Sequence, residues 1–177
     1  MPHLRTVLTI AACLLGLFGE TALGQSGSIL ALAEVPSSRI TITTVSELRF
    51  GAILPGAPRT IDPQTSPGAG RFEIRGAEGA AFELAIVLPR ELQSDTSTAV
   101  MAIDFGPQAG CHSDGVRPTG CQYYDPSLTL TAVFGSTPDP EEVFSVWIGG
   151  TIQPAPNQVP GPYSGMATAS VAYTANE

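Results

Sequence analysis

The sequence contains no lysine, and all eight of its basic residues are arginines. A chain without lysine cannot form a Schiff base or a Ser/Lys catalytic pair, because both need the lysine amine. It also cannot form the Lys/Asn isopeptide crosslinks of sortase-assembled pilins. Basic residues of any kind are few, and sixteen acidic residues give a net charge of −8. This balance argues against binding to nucleic acids or to anionic membrane surfaces, since both need a clustered basic face.

The sequence also has no apolar run long enough for a membrane-spanning helix. Its longest apolar stretch, Val7 to Phe18, is well short of the roughly twenty residues that cross a bilayer. It follows a short basic start and precedes the small residues Ala22 to Gly24. This pattern predicts a secretory signal peptide over residues 1–24, so the chain would contact the membrane only through this segment during export. Two weaker alternatives are a retained anchor and a lipoprotein with its lipid on Cys13.

Histidine is almost absent, because His112 is the only one outside the predicted signal peptide. The chain also has no Gly-x-Ser-x-Gly motif for an activated serine. Paired carboxylates such as Glu73 and Glu83 could in principle hydrolyse a glycoside, but both occupy polar positions of strand patterns. We therefore predict a protein that is not an enzyme and that has no catalytic residues, no metal and no cofactor.

Only two cysteines, Cys111 and Cys121, follow the predicted signal peptide. Export to an oxidising compartment favours a disulfide between them, closing a short turn-rich loop. The alternative is a metal site formed by Cys111, His112, Asp114 and Cys121. Its spacing matches no familiar zinc pattern, and adjacent Cys and His rarely bind one ion, so the disulfide is the favoured interpretation.

No window after the signal peptide has the apolar spacing of a long helix free of proline and glycine. Instead, short runs alternate between apolar and polar residues and are separated by turns, which is typical of an all-β sandwich. The alternating apolar residues are Ile40, Ile42, Leu48 and Phe50, then Phe72 and Ile74, then Phe82, Leu84, Ile86 and Leu88, then Met101, Ile103 and Phe105, then Leu128, Leu130, Ala132 and Phe134.

Three further segments have distinct patterns. Residues 143–148 are apolar on both faces, which predicts a central strand with Trp147 as its largest core or groove residue. Residues 55–70 are rich in Pro and Gly and predict an exposed excursion between strands. The segment from Gly161 to Tyr173 alternates with period two and predicts one long terminal strand. Its residues of one parity are Tyr163, Gly165, Ala167, Ala169, Val171 and Tyr173.

Four stretches carry a resemblance to a known family: residues 48–56 (LRFGAILPG), 72–82 (FEIRGAEGAAF), 149–151 (GGT), and 161–165 (GPYSG) leading to Val171-Ala172-Tyr173. In this order, over about residues 38 to 174, the chain resembles the secreted bacterial family called domain of unknown function 4402. That family is similar in pattern to spore coat U and to chaperone/usher fimbrial subunits. The resemblance implies an immunoglobulin-like antiparallel β-sandwich of about seven to eight strands and a structural role at the cell surface.

The family offers no established catalytic or ligand residues to transfer. This sequence departs from its pattern in the insertion between Cys111 and Cys121 and in Arg49, where the family more often has an acidic or polar residue. Chaperone/usher subunits are completed by a strand from their neighbour, which is a form of strand addition to an open edge. The resemblance therefore raises the question of whether this chain has a spare strand.

A spare strand is available in the extension before the sandwich, residues 25–37 of the sequence. Residues 28–35 can alternate with Ile29, Ala31, Ala33 and Val35 on one face, and they end at Pro36. Small residues on this face could lie against the alanines of the terminal strand, where Gly161 and Tyr173 resemble the glycine and near-terminal tyrosine of pilin C-terminal strands. Two alternatives stay open: the segment pairs within its own sandwich, or it is a flexible leader.

These observations lead to two hypotheses about a sandwich domain over residues 38–177. In the first, the protein is a pilin-like subunit that binds like subunits, with a periplasmic chaperone and an outer-membrane usher as further partners. In the second, a self-complete sandwich binds a glycan or protein through exposed aromatic residues such as Tyr123, Tyr124 and Trp147. For Tyr123 and Tyr124, the entry of a strand after the disulfide is the simpler interpretation. Both hypotheses place the protein outside the cell or in the periplasm of a Gram-negative bacterium.

Overall fold

The structure is a computed structural model in which residues 39–118, 120–135 and 143–174 are described. The predicted signal peptide and the candidate donor strand lie outside these ranges. Within them every regular element is a β-strand and every strand pair is antiparallel. The prediction of an all-β antiparallel sandwich is therefore confirmed.

The strands of the described residues are β1 (Thr41–Ser46), β2 (Arg59–Ile61), β3 (Gly70–Arg75), β4 (Ala81–Val87), β5 (Glu91–Ser94), β6 (Val100–Asp104), β7 (Gly110–Asp114), β8 (Gln122–Tyr124), β9 (Leu130–Val133), β10 (Phe144–Ile148), β11 (Gly150–Gln153), β12 (Tyr163–Ser164) and β13 (Thr168–Tyr173). They form three sheets. The first sheet has the order β1-β3-β10-β7-β8, the second has the order β12-β5-β6-β11-β2, and the third has the order β13-β4-β9.

The first sheet is organised around β10, which is buried along its whole length. Its apolar residues on both faces explain this position, because a strand with neighbours on both sides and layers above and below excludes water completely. Phe144, Val146 and Ile148 pack towards one core cluster, and Trp147 packs into the other. The predicted central strand and the prediction of Trp147 as a core residue are both confirmed.

The first two sheets are continuous through a bend at Gly149. This residue alone separates β10 from β11, so the chain leaves one sheet and enters the other almost at once. A Cβ atom at position 149 would lie 2.1 Å from the carbonyl oxygen of Ile61, a distance that no side chain tolerates. Glycine therefore permits the close approach of backbone at the bend.

The third sheet packs over the first and completes the sandwich. Phe82, Leu84 and Ile86 of β4 alternate inward and are buried against Ile74 and the inner face of β10. Phe82 has no exposed surface, and its ring stacks on Phe134 with the centroids 4.4 Å apart. The alternation seen in the sequence of β4 therefore places its apolar face in the core, as predicted.

Three details of the fold differ from the sequence-based prediction. The described residues contain thirteen short strands, because long alternating runs are divided where the chain bends from one sheet to another. The Pro/Gly-rich excursion is not wholly exposed: it contains β2, and Ile61, Pro63 and Ala69 are buried. The single terminal strand is wrong, since β12 pairs with β5 in the second sheet and β13 pairs with β4 in the third.

Candidate functional site

The described residues form an apolar groove of about 1030 Å³. It lies where β1, an edge of the first sheet, faces the segment that leads from β12 into β13, an edge of the third sheet. The second sheet lies beneath it. We refer to this feature as the edge groove.

The edge groove has an apolar floor. Leu92 of β5, Ile103 of β6, Ile148 of β10 and Ile152 of β11 line it, together with Phe72 of β3. Ile103, Ile148 and Ile152 are buried, whereas Leu92 and Phe72 are only partly buried. A groove with such a floor exposes apolar surface to water, at a cost of roughly 25 cal/mol for each Å². An apolar occupant that covered the floor would recover this free energy.

The two strands at the groove run in opposite directions. Ser46, at the end of β1, and Ala167, just before the start of β13, both line the groove. At the other end, the hydroxyl of Tyr173 accepts a hydrogen bond from the backbone N–H of Ala77, at 2.7 Å. Ala77 follows β3 closely, and the last residue of β3 pairs with Thr41 at the start of β1. The end of β13 therefore lies near the start of β1.

Both of these strands present an open edge. Within the described ranges, β1 pairs only with β3, and β13 pairs only with β4. Their inward residues Ile42, Ala169 and Val171 are half-buried, although the corresponding residues of the inner strands are fully buried. An unpaired edge beside exposed apolar surface is a template for another strand.

The two edges are not equally suited to pairing. The register of β13 with β4 is continuous over six residues, whereas β1 has a bulge between Thr44 and Ser46. The Cα atoms of β1 and β13 approach within 8 Å of each other. A strand paired with both would need about 9.6 Å between them, twice the usual strand spacing. A strand can therefore pair with both edges only if they separate.

Small residues shape the chain where it crosses from β12 to β13. Gly161 has a φ angle of +139°, in the region that favours glycine. A Cβ atom at Gly165 would lie 2.8 Å from Cδ2 of Leu92, so this glycine lets the crossing chain pack closely on β5. Tyr163 is half-buried, and Gly165 and Ala167 are exposed along the groove. Tyr163, Gly165 and Ala167 thus line one wall of the edge groove, whereas Ala169, Val171 and Tyr173 do not line it; the predicted set belongs to two strands and their connection.

The charge at the rim of the edge groove is weak. Glu47 and Arg49 form an ion pair at 3.0 Å, but both side chains are about three-quarters exposed. Such exposed pairs contribute little free energy, because water screens them. Recognition at the edge groove would therefore depend on apolar contacts and on backbone hydrogen bonds.

The disulfide between Cys111 and Cys121 is present, with their Cα atoms 5.7 Å apart. It joins β7 to the start of β8 on the far side of the first sheet from β1. This confirms the predicted pairing, and it removes the alternative metal site, because disulfide-bonded sulfurs cannot act as thiolate ligands. In the part of the chain that the structure describes, no three or more His, Cys, Asp and Glu side chains are grouped as a metal site.

Removal of this disulfide is expected to lower the free energy of unfolding by about 2 to 3 kcal/mol, because the short loop gains chain entropy mainly in the unfolded state. The double variant Cys111→Ala/Cys121→Ala, measured by urea denaturation, tests this value. When the original protein is denatured by urea in the presence of a reducing agent, its free energy of unfolding should match that of the double variant. An unchanged midpoint in both would contradict a stabilising role.

His112 lies on the inner face of β7, with its ring stacked on Phe144 and edge-on to Tyr124. Burial lowers the pKa of His112 from its ordinary value, and the nearby charge of Asp114 opposes this shift only in part. The unfolded chain therefore binds a proton at His112 more readily than the folded chain does. Stability is lost as the pH falls through the ordinary pKa of histidine.

We expect the urea midpoint to decrease between about pH 7 and pH 5, where histidine ordinarily titrates. The variant His112→Gln should lose most of this dependence, because glutamine does not titrate. Measurements at several pH values in one buffer system and at constant ionic strength would check it. If the urea midpoint depends on pH equally in both proteins, groups other than His112 cause the effect.

The aromatic residues of the second hypothesis are less exposed than predicted. Trp147 is only 5% exposed, and the guanidinium of Arg71 lies 5.5 Å from its ring centroid. Tyr124 packs its ring on Gly110, and burial raises the pKa of its hydroxyl. Tyr123 is exposed, and its hydroxyl donates a hydrogen bond to Oε1 of Gln64 at 3.1 Å. Both tyrosines belong to β8, which confirms the simpler interpretation that a strand begins after the disulfide.

The described chain is thus a β-sandwich with an open, apolar groove between two strand edges. Residues 56–173, about two thirds of the chain, match the family model described as "Domain of unknown function (DUF4402)". The chain belongs to this family, as the resemblance in its sequence predicted. The match begins at Gly56, so it does not include most of the 48–56 stretch. The comparison with curated proteins gave no match. Among residues 39–118, 120–135 and 143–174, no helix is long and apolar enough to cross a membrane.

Proposed function

We propose that this protein is an exported, non-catalytic structural subunit of the cell surface that assembles by strand donation. In this proposal residues 28–35 of one subunit add to the edge groove of the next. The observation that carries it is the apolar groove between the open edge of β1 and the segment that leads into β13. Like subunits are the main partners, and a Gram-negative cell surface or periplasm is the proposed location.

The sequence of the donor matches the chemistry of the groove. Ile29, Ala31, Ala33 and Val35 would face the apolar floor, and the donor backbone would supply hydrogen bonds to the unpaired edge. The family model leaves the residues before Gly56 unmatched, so the donor would be a feature of the leader rather than of the matched domain.

The groove also bears on how such a subunit is exported. An unpaired edge beside exposed apolar surface favours aggregation. A periplasmic chaperone that covers the groove, and an outer-membrane usher that receives the subunit, are therefore proposed as further partners. The predicted signal peptide over residues 1–24 would deliver the chain to them.

Deletion of residues 25–36 tests the proposal. The exported chain is expected to form multimers in sedimentation velocity, whereas the deletion variant should sediment as a monomer because it has no donor. The double variant Ala31→Asp/Ala33→Asp should behave like the deletion, since two carboxylates cannot enter an apolar groove. The matched control Ser26→Asp/Ser28→Asp adds the same charge outside the predicted inward positions and should still assemble. A stable monomer in every form, unaffected by added peptide, would overturn the proposal.

The alternative is a self-complete sandwich that binds a glycan or a protein. Of the three aromatic residues considered for it, only Tyr123 is exposed, and its hydroxyl is engaged with Gln64 and Asp62. A glycan array probed with the original protein and with Tyr123→Ala would test this alternative. Binding that is lost in the variant while its solubility is unchanged would favour it over strand donation.

A further inference from the structure

Part of the wall of the edge groove is a proline-rich connection between β11 and β12, residues 154–162, which we call the strap. Four of its nine residues are prolines, and each proline lacks the backbone N–H that a strand ladder needs. Pairing along a sheet therefore cannot hold the strap in place. Its position depends on a small number of individual hydrogen bonds.

The side chain of Gln158 makes three of these hydrogen bonds. Its Oε1 accepts one from the backbone N–H of Ala155 at 3.0 Å, and its Nε2 donates to the carbonyl oxygen of Val100 at 3.0 Å and to the hydroxyl of Tyr163 at 2.7 Å. The partners fix the orientation of the amide, because an N–H group can only donate and a carbonyl oxygen can only accept. The hydroxyl of Tyr163 donates in turn to the carbonyl oxygen of Val159 at 2.8 Å.

This network ties the strap to the second sheet. Val100 is the first residue of β6 and Tyr163 is the first residue of β12, so one amide bridges two strands and the connection that carries it. Gln158 is half-buried and lines the edge groove itself. A half-buried amide that loses its partners is costly, which makes the docked position of the strap the favoured one.

We propose that Gln158 is a positioning residue of the edge groove, whose amide holds the strap where it forms part of the wall. Without the two hydrogen bonds that Nε2 donates, the strap separates from β6 and the groove loses this part of its wall. The inference rests on the proposed function in that it concerns the same groove. It assigns the residue that shapes the groove, whatever molecule fills it.

The variant Gln158→Glu tests this role, because it keeps the size and shape of the side chain. It places an oxygen atom where Nε2 faces the carbonyl oxygen of Val100, so two acceptors oppose each other and the bond is lost. The matched control is Gln153→Glu, which makes the same chemical change at an exposed residue of β11 that does not line the groove.

Hydrogen exchange of single amides, followed by NMR in the exported chain, reports whether the strap is docked. The backbone N–H of Gly56 donates to the carbonyl oxygen of Ala155 at 3.0 Å, and that of Asp95 donates to Pro162 at 3.1 Å. Both amides lie outside the strap and are protected by it. The amide of Phe134, which is bonded within another part of the fold, serves as the reference.

In Gln158→Glu the amides of Gly56 and Asp95 are expected to exchange about tenfold faster, as the loss of one or two net hydrogen bonds implies. The amide of Phe134 should be unchanged, and Gln153→Glu should match the original protein at all three. Unchanged exchange at Gly56 and Asp95 would overturn the role of Gln158. Equal acceleration at all three amides would also overturn it, because that result indicates a general loss of stability.

Tyr163→Phe tests the other half of the network, since it keeps the ring in the wall and removes only the hydroxyl. The same two strap-protected amides should exchange faster, but by a smaller factor, because Gln158 keeps its bond to Val100. An effect larger than that of Gln158→Glu would assign the positioning role to Tyr163 instead.

Sedimentation velocity of the same variants connects the strap to the proposed function. Gln158→Glu should assemble less than Gln153→Glu, because the groove has lost part of its wall. Equal assembly of the two, with the strap released in the exchange experiment, would overturn the strap as a wall that the occupant needs. If the original protein is itself a monomer while its strap amides respond as expected, the proposed function fails and the role of Gln158 stands.

Discussion

Replacement of Phe82 by alanine is expected to lower the free energy of unfolding by about 3 to 5 kcal/mol, the range for large aromatic residues removed from a core. Phe82 has no exposed surface, stacks on Phe134 and meets the ring of Phe144 edge-on at 5.0 Å. The truncation removes contacts between the third sheet, which contains Phe82, and the first sheet, which contains Phe144. Their loss leaves a cavity that neighbouring strands cannot close without breaking their pairing.

Urea denaturation followed by tryptophan fluorescence measures this loss, because Trp147 is buried in the fold. The control is Val87→Ala on the same strand, since Val87 is 71% exposed on the outer face of β4. It should change the free energy of unfolding by no more than about 0.5 kcal/mol. Equal losses at both positions would contradict the assignment of the two faces of β4.

The second large effect is expected from Ala167→Arg, which should reduce assembly at least tenfold. Ala167 is exposed and lines the edge groove just before β13, where the donor would pack. An arginine there would bring a charge to an apolar surface, which is costly without a partner. The domain should stay folded, because the long side chain can reach water through the open edge.

Ala172→Arg provides the matched control, since it makes the same chemical change at an exposed residue of β13 that does not line the groove. It should assemble like the original protein, and thermal denaturation should show both variants to be folded. Sedimentation velocity measures the assembled fraction. Normal assembly of Ala167→Arg, or equal loss in both variants, would contradict the edge groove as the donor site.

The sequence predicted the fold class well because alternation depends on local geometry. Side chains of a strand point to opposite faces in turn, so a buried face leaves a period of two in the sequence. The inward residues Phe82, Leu84 and Ile86 and the central strand β10 followed from this pattern, and the structure confirms them. The disulfide could likewise be predicted, because only two cysteines follow the predicted signal peptide.

The errors occur where the chain moves from one sheet to another. The segment from Tyr163 to Tyr173 keeps its alternation throughout, yet β12 and β13 pair in different sheets. Alternation reports which face is apolar, but it carries no information about which strand lies alongside. The burial of Tyr124 shows the same limit, since a pattern cannot reveal that a second layer covers a face.

The sequence by itself determined the family, the all-β class and the disulfide, because each depends on residue types at fixed spacings. It also supplied a candidate donor strand, whose place is a proposal. Only the tertiary structure decided that an edge of the first sheet and an edge of the third face each other across an apolar groove. That arrangement brings residues far apart in the chain, such as Ser46 and Ala167, to the same groove, and no local pattern encodes it.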